Sequence, residues 1–199
     1  MAVTRAWYET LADRAPDPVN AWLGIEAERF LSVRREVRRR GGAGSAARIA
    51  EQLGALAEAL IAIVADLPEV AFRAPGGEED WNVAQAIGHD ADARAGLSMA
   101  GALDAQGRFP ADAGAVVPGV AGPADAAREA LIRRIVVSQR IVERASRSIA
   151  GHETEPCPLV HPWVGKLRCG EWLLFAGVHD LMHLEQLERL RAAYVTTPR

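Results

Sequence analysis

Four long stretches of this chain repeat apolar side chains at intervals of three and four residues, with glycine and proline clustered between them. That spacing lays one apolar stripe along a helix, and such a stripe must be buried against another element. The first stretch runs from about residue 45 to 67. Ser45 is its expected N-cap, and Ile49, Leu53, Leu56, Leu60, Ile63 and Val64 form its buried face. The second opens at Asn82 and continues to about Leu103. Asn82 and Gln85 make a variant capping box, each side chain placed to serve the other's backbone amide. The third covers about 124–149, with Leu131, Ile135, Val142, Ala145 and Ile149 inward, and the fourth about 171–194. Four amphipathic helices of this length predict an all-α chain folded as a four-helix bundle. No segment reads convincingly as a strand.

Residues 104–123 and 151–170 are rich in glycine and proline and are expected to be irregular. Long loops in compact domains are often functional. Residues 1–42 form a separate N-terminal extension packing on a bundle of residues 43–199. Its apolar patches are Trp7, Tyr8 and Leu11, then Val19, Trp22, Leu23 and Ile25, then Phe30, Leu31 and Val33; Pro16 and Pro18 separate the first two, Asp17 and Asn20 are candidate caps, and two short helices are expected. The run from Arg34 to Arg40 is the one basic cluster and reads as a solvated helix end. Arginine supplies 22 of the 23 basic residues, and with abundant alanine it favours helix.

Composition excludes several functions. With 49% apolar residues, 25% charged residues and a net charge of −3, the chain has the balance of a folded globular domain. That charge gives no electrostatic case for a nucleic-acid or membrane partner. No apolar run reaches the ~18 residues of a membrane-spanning helix. The first eight residues lack a basic segment followed by an apolar one, so no secretory signal is expected. Two cysteines, Cys157 and Cys169, do not make a disulfide framework, and a reducing cytoplasm is the expected location.

Three of the five histidines carry the chemistry. His179 and His183 are four residues apart on the fourth helix and stack on one face. Steps of four and three join them to Trp172, Ala176, Gln186 and Leu190, while Asp180, Glu185, Glu188 and Arg189 fall on the opposite side, so both histidines point inward. Two buried imidazoles need a shared partner, and a metal ion satisfies both. His89 lies near the start of the second helix, beside small residues, and completes a three-histidine site if the two helices are neighbours. Neutral imidazoles suit zinc, nickel, copper or iron(II). Three protein ligands leave a position open for water or substrate.

Trp81-Asn82-Val83-Ala84-Gln85-Ala86-Ile87-Gly88-His89 resembles the first signature of the DinB/YfiT-like superfamily. His161-Pro162-Trp163-Val164-Gly165-Lys166-Leu167, Glu171-Trp172-Leu173-Leu174-Phe175 and His179-Asp180-Leu181-Met182-His183-Leu184-Glu185-Gln186 resemble the second. The resemblance covers about residues 45–193. It implies an up-down-down-up bundle holding a divalent metal through His89, His179 and His183. Relatives act on low-molecular-weight thiols as transferases or isomerases, or are described as metal-dependent hydrolases. The chain departs from the family at Arg94, where relatives often carry an acidic residue, at Asn82, which replaces a serine or threonine, and in residues 1–40, which lie outside the family core.

The expected function is therefore that of a divalent-metal enzyme, a thiol S-transferase or hydrolase acting on a small molecule, with zinc, nickel or iron as cofactor and a low-molecular-weight thiol as cosubstrate. Asp92, one turn from His89, is a candidate base or ligand partner, or else a solvated carboxylate. Gln186 is placed to orient a water or substrate, or to make a core hydrogen bond. His161 reads as shaping the loop into the fourth helix, Trp81 and Trp172 as core, and His152 as surface. Cys169 sits where a helix dipole could activate a thiol. The competing expectation is a non-catalytic binding or assembly protein with a structural or vestigial metal. A homodimer is compatible with either.

Overall fold

A computed structural model describes residues 6–28, 30–77, 80–112 and 119–195. Within them the protein is mostly helical, with one small two-stranded sheet. Three short helices come first: α1 (Ala6–Ala12), α2 (Pro16–Glu28) and α3 (Phe30–Arg40). The long helices are α4 (Ala46–Asp66), α5 (Val83–Ala105), α6 (Arg128–Ile149) and α7 (Cys169–Val195). A 3-10 turn at Glu69–Arg73 follows α4. The long helices pack side by side in the cyclic order α4, α6, α5, α7, so α4 and α5 face each other across a diagonal. Ile49, Leu53, Leu56 and Leu60 of α4 and Leu131, Ile135 and Val142 of α6 are fully buried in the shared core. Each such side chain contributes roughly 1.5–3 kcal/mol. None of the described helices is long and apolar enough to cross a membrane.

Several local expectations are corrected. The stretch before α7 is not wholly irregular: β1 (Pro156–His161) and β2 (Gly165–Arg168) pair antiparallel. Pro156 and Pro158 cannot donate to a ladder, and the register is irregular between Pro156 and Val160, so no alternating pattern announces the strand. Gly165 turns the hairpin at φ 71°. Helix α6 starts at Arg128, not near 124, because the carbonyls of 124–126 are engaged from outside. Arg73 donates to Ala124 (2.9 Å), Asp125 (2.9 Å) and Ala126 (3.4 Å), and Asn82 also donates to Ala124. Ser45 makes no side-chain cap on α4. Buried Glu153 instead accepts from Ala46 N and Gly151 N, placing a carboxylate where the helix dipole favours it.

The extension forms three helices within residues 6–40 instead of two. Helix α2 packs on α4 and α7, and α3 on α7. Asp17 and Asn20 are not caps. Asp17 binds Arg40 (3.1 Å), Arg48 and Gln52 Nε2 (2.9 Å), and Asn20 donates back to Pro16 O. The basic run is more than a solvated end, since Arg38 donates to buried Glu171 and Arg40 to Asp17. With α2, α3, α4 and α5 around it, α7 is buried at every residue from 169 to 178. Asp180, expected on its solvent side, is also fully buried.

Candidate metal centre

Helices α5 and α7 share one of the longest seams in the molecule, and the seam brings the three histidines together. His179 and His183 stack one turn apart on α7, ring centroids 4.6 Å from each other. His89 reaches across from α5, 5.2 Å and 5.3 Å from the two rings. One ligand atom from each histidine lies within 4.8 Å of the other two. His183 is buried, and the other two are half-buried.

Each ring is held by an acceptor at Nδ1. His89 Nδ1 bonds the carbonyl of Val120 at 3.0 Å, His179 Nδ1 the Asp90 carboxylate at 3.2 Å, and His183 Nδ1 the Gln186 Oε1 at 2.8 Å. The Gln186 amide is oriented by its Nε2, which donates to Gly76 O. Carbonyl and carboxylate oxygens only accept, so each Nδ1 carries the proton. A neutral imidazole in that tautomer keeps its lone pair on Nε2. Three imidazoles whose ligand atoms lie within 4.8 Å of one another, each ring fixed by a hydrogen bond at Nδ1, match the donor set of a divalent-metal site. The residues therefore fit zinc, nickel or iron(II).

The charges around the cluster follow from burial. Burial pushes the His179 pKa down, against the Asp90 hydrogen bond, and so favours the neutral ring. Burial also pushes Asp90 up, but the His179 hydrogen bond, the Arg94 charge and, whenever they are protonated, the His183 and His179 rings outweigh it and hold Asp90 below the usual carboxylate range. Asp180 goes the other way. Burial raises it well above the ordinary value, the Arg94 charge only partly offsets this, and Asp90 adds to the rise.

Local sequence explains why His89 is so placed. The Asn82–Gln85 capping box is fully formed and starts α5 two turns before it. The segment at 119–122 then crosses α5 closely: Gly122 N donates to Gln85 O, and a Cβ on Gly122 would lie 2.6 Å from the Gly88 Cα. Only two facing glycines permit this approach, which brings the Val120 carbonyl to His89. Trp81, expected in the core, is half-buried outside the apolar core cluster and lies against His89, centroids 4.9 Å apart, so it walls the site.

The remaining candidates fall elsewhere. Asp92 is exposed in the groove between α5 and α6, both oxygens bonded to Arg134 (2.7 and 2.8 Å). Gln186 positions His183 and has both ends of its amide engaged. His161 Nδ1 accepts from Trp163 N at 3.2 Å, and its ring packs on Trp172 and Phe175. Burial lowers its pKa to about 4. Trp172 is fully buried, and His152 pairs with Glu155 at the surface. Cys169 is not activated: burial and its bond to Asp104 push its thiol up to about 12. The residue that sequence reasoning missed is Asp90. One-turn spacing from His89 favoured Asp92, but Asp90 lies about 100° further round the helix, on the side that α7 covers. A carboxylate directly beside a candidate ligand was the available signal.

No family model matches this chain, and no curated protein or solved structure matches it.

Proposed function

We propose that this protein is a divalent-metal-dependent enzyme of the DinB/YfiT-like kind, a four-helix bundle carrying an N-terminal helical extension. His89, His179 and His183 would hold zinc, nickel or iron, and the substrate is a small molecule. The observation that carries this reading is that one ligand atom from each of the three histidines lies within 4.8 Å of the other two, while each ring is fixed by a hydrogen bond at Nδ1. The chemistry such an ion supplies is a lowered pKa for a thiol or water held at its open position, as a thiol S-transferase or a hydrolase needs. The chain's own residues supply the orientation. Val120, Asp90 and Gln186 fix the rings, and Trp81 gives the site an aromatic wall.

One observation favours a second reading, a non-catalytic binding or assembly protein with a structural metal. The carboxylates nearest in sequence to His89 are already engaged, Asp92 by Arg134 and Asp90 by His179, which leaves neither as a ready base. Elemental analysis of the purified protein beside His89→Ala tests the shared premise. Near one equivalent of metal in the parent, lost in the variant, is expected. A parent that takes up none of zinc, nickel or iron(II) after reconstitution overturns both. Turnover of a low-molecular-weight thiol with an electrophile, dependent on His89, separates the enzyme from the scaffold.

A further inference from the structure

Beneath the histidines lies a buried arginine that no part of the proposed chemistry uses. Arg94 sits on α5, five residues after His89, and is fully buried. Its Nη1 donates to Asp180 Oδ2 on α7 at 2.5 Å. Its Nη2 donates to the Leu53 carbonyl on α4 at 2.6 Å and to Gln139 Oε1 on α6. Gln139 in turn donates to the Ala50 carbonyl of α4. One guanidinium thus bonds to three long helices while belonging to the fourth.

The placement of its partners ties this knot to the site. Asp180 immediately follows His179 on α7. Asp90, which holds His179 Nδ1, lies one turn before Arg94 on α5. The guanidinium therefore meets α7 within a turn of His179 and His183, and lies about one and a half turns beyond His89 on α5. Apolar packing along the α5–α7 seam resists sliding only weakly, because dispersion contacts are non-directional and individually small. A planar, forked donor with fixed angles admits one register. Buried ion pairs are poor sources of stability but can specify one arrangement over its neighbours.

We infer that Arg94 is the positioning residue of the histidine cluster, setting the register between α5 and α7 at which His89 meets His179 and His183. This rests on the metal-site reading above. It assigns Arg94 no contact with metal or substrate.

The test uses the full chain, cobalt(II) alone as the probe, and the double variant Arg94→Met/Asp180→Leu, which removes both charges and leaves neither buried alone. The expected result is a helical, cooperatively unfolding protein whose cobalt affinity is about 10- to 100-fold weaker and whose ligand-field spectrum is altered, the range that outer partners of metal ligands typically command. Arg94→Lys, which keeps the Asp180 pair but cannot make the fork, should fall between. A folded double variant with the parent's affinity and spectrum overturns the inference. Should the double variant fail to fold, Arg94→Lys carries the test, and an unchanged cobalt affinity there overturns it equally. A parent that binds no cobalt is a failure of the metal reading instead. The metal-free imidazole nitrogen spectrum then decides about Arg94. His179 should lose its single Nδ1–H tautomer in Arg94→Lys, and identical parent and variant spectra count against the inference.

Discussion

Two of the polar clusters between the described helices are built in opposite ways. Around Asp17 the polar atoms close on one another: the carboxylate takes Arg40, Arg48 and Gln52 Nε2, while Gln52 Oε1 accepts from the Asp17 amide. Around the histidines each ring is held from outside through Nδ1, and one ligand atom of each lies within 4.8 Å of the other two. A closed cluster is a crosslink, here tying α2 to α3 and α4. A convergent one is suited to a shared electrophile. Burial does not distinguish the two. Whether the polar atoms close on one another or gather round one point does.

The largest effect that would break this contrast is a misplaced loss of metal. His183→Ala should take the protein from about one equivalent to near none, with the metal-free helical content unchanged. Asp17→Ala should leave stoichiometry untouched. Tight metal retained by His183→Ala, measured by elemental analysis after dialysis, would remove the distinction. A smaller effect is expected one bond further out. Asp90→Leu and Gln186→Leu keep all three ligands but free a ring to rotate, so each should weaken metal binding about 10- to 100-fold in chelator competition. Parent-like affinity in both would mean that the Nδ1 bonds are incidental.

For the closed cluster the expected readout is stability alone. Asp17→Ala strips the acceptor from Gln52 and two arginines. Arg48 is half-exposed and regains water, so the cost is limited to about 1–3 kcal/mol. Denaturant unfolding should show that loss with metal affinity unchanged. A shift in affinity instead would mean that the extension reaches the site through α7.

The contrast also marks what the sequence made legible. The four long helices and the Asn82–Gln85 box follow from local patterns, since apolar spacing and capping act within a few residues. The three histidines share that advantage, because i, i+4 spacing on α7 sets two of them on one face. What eluded reading depends on a second element. Asp180 looked solvated because charge was taken to mark the solvent side of α7, whereas the fold sets it against fully buried Arg94 of α5. Asp90 and Val120 acquire their roles only once α7 and the 119–122 segment lie against α5. Arg94, noted only as a departure from the expected residue, is a junction among four helices.

His161 offers the finest test, because its hydrogen bond runs the other way. Its Nδ1 accepts from the Trp163 amide, so the proton resides on Nε2 and the ring is no ligand in this arrangement. It should respond to pH and not to metal. Burial lowers its pKa from 6.5 to about 4. Between those values the unfolded chain takes up a proton that the folded chain refuses, so the associated stability is present above pH 6.5 and is lost as pH falls toward 4. At pH 5 this group alone should cost about 2 kcal/mol relative to pH 7. His179, depressed by burial as well, adds to the same acid limb, so the comparison must be with a variant. His161→Asn keeps an acceptor for the amide two residues on, as asparagine does in its own turns, but does not titrate. It should lower stability at pH 7 through lost packing on Phe175 and Trp172 while flattening the limb between pH 6.5 and 4. Denaturant midpoints across that range decide it. A parent-like slope in His161→Asn would assign the acid sensitivity to the convergent cluster alone.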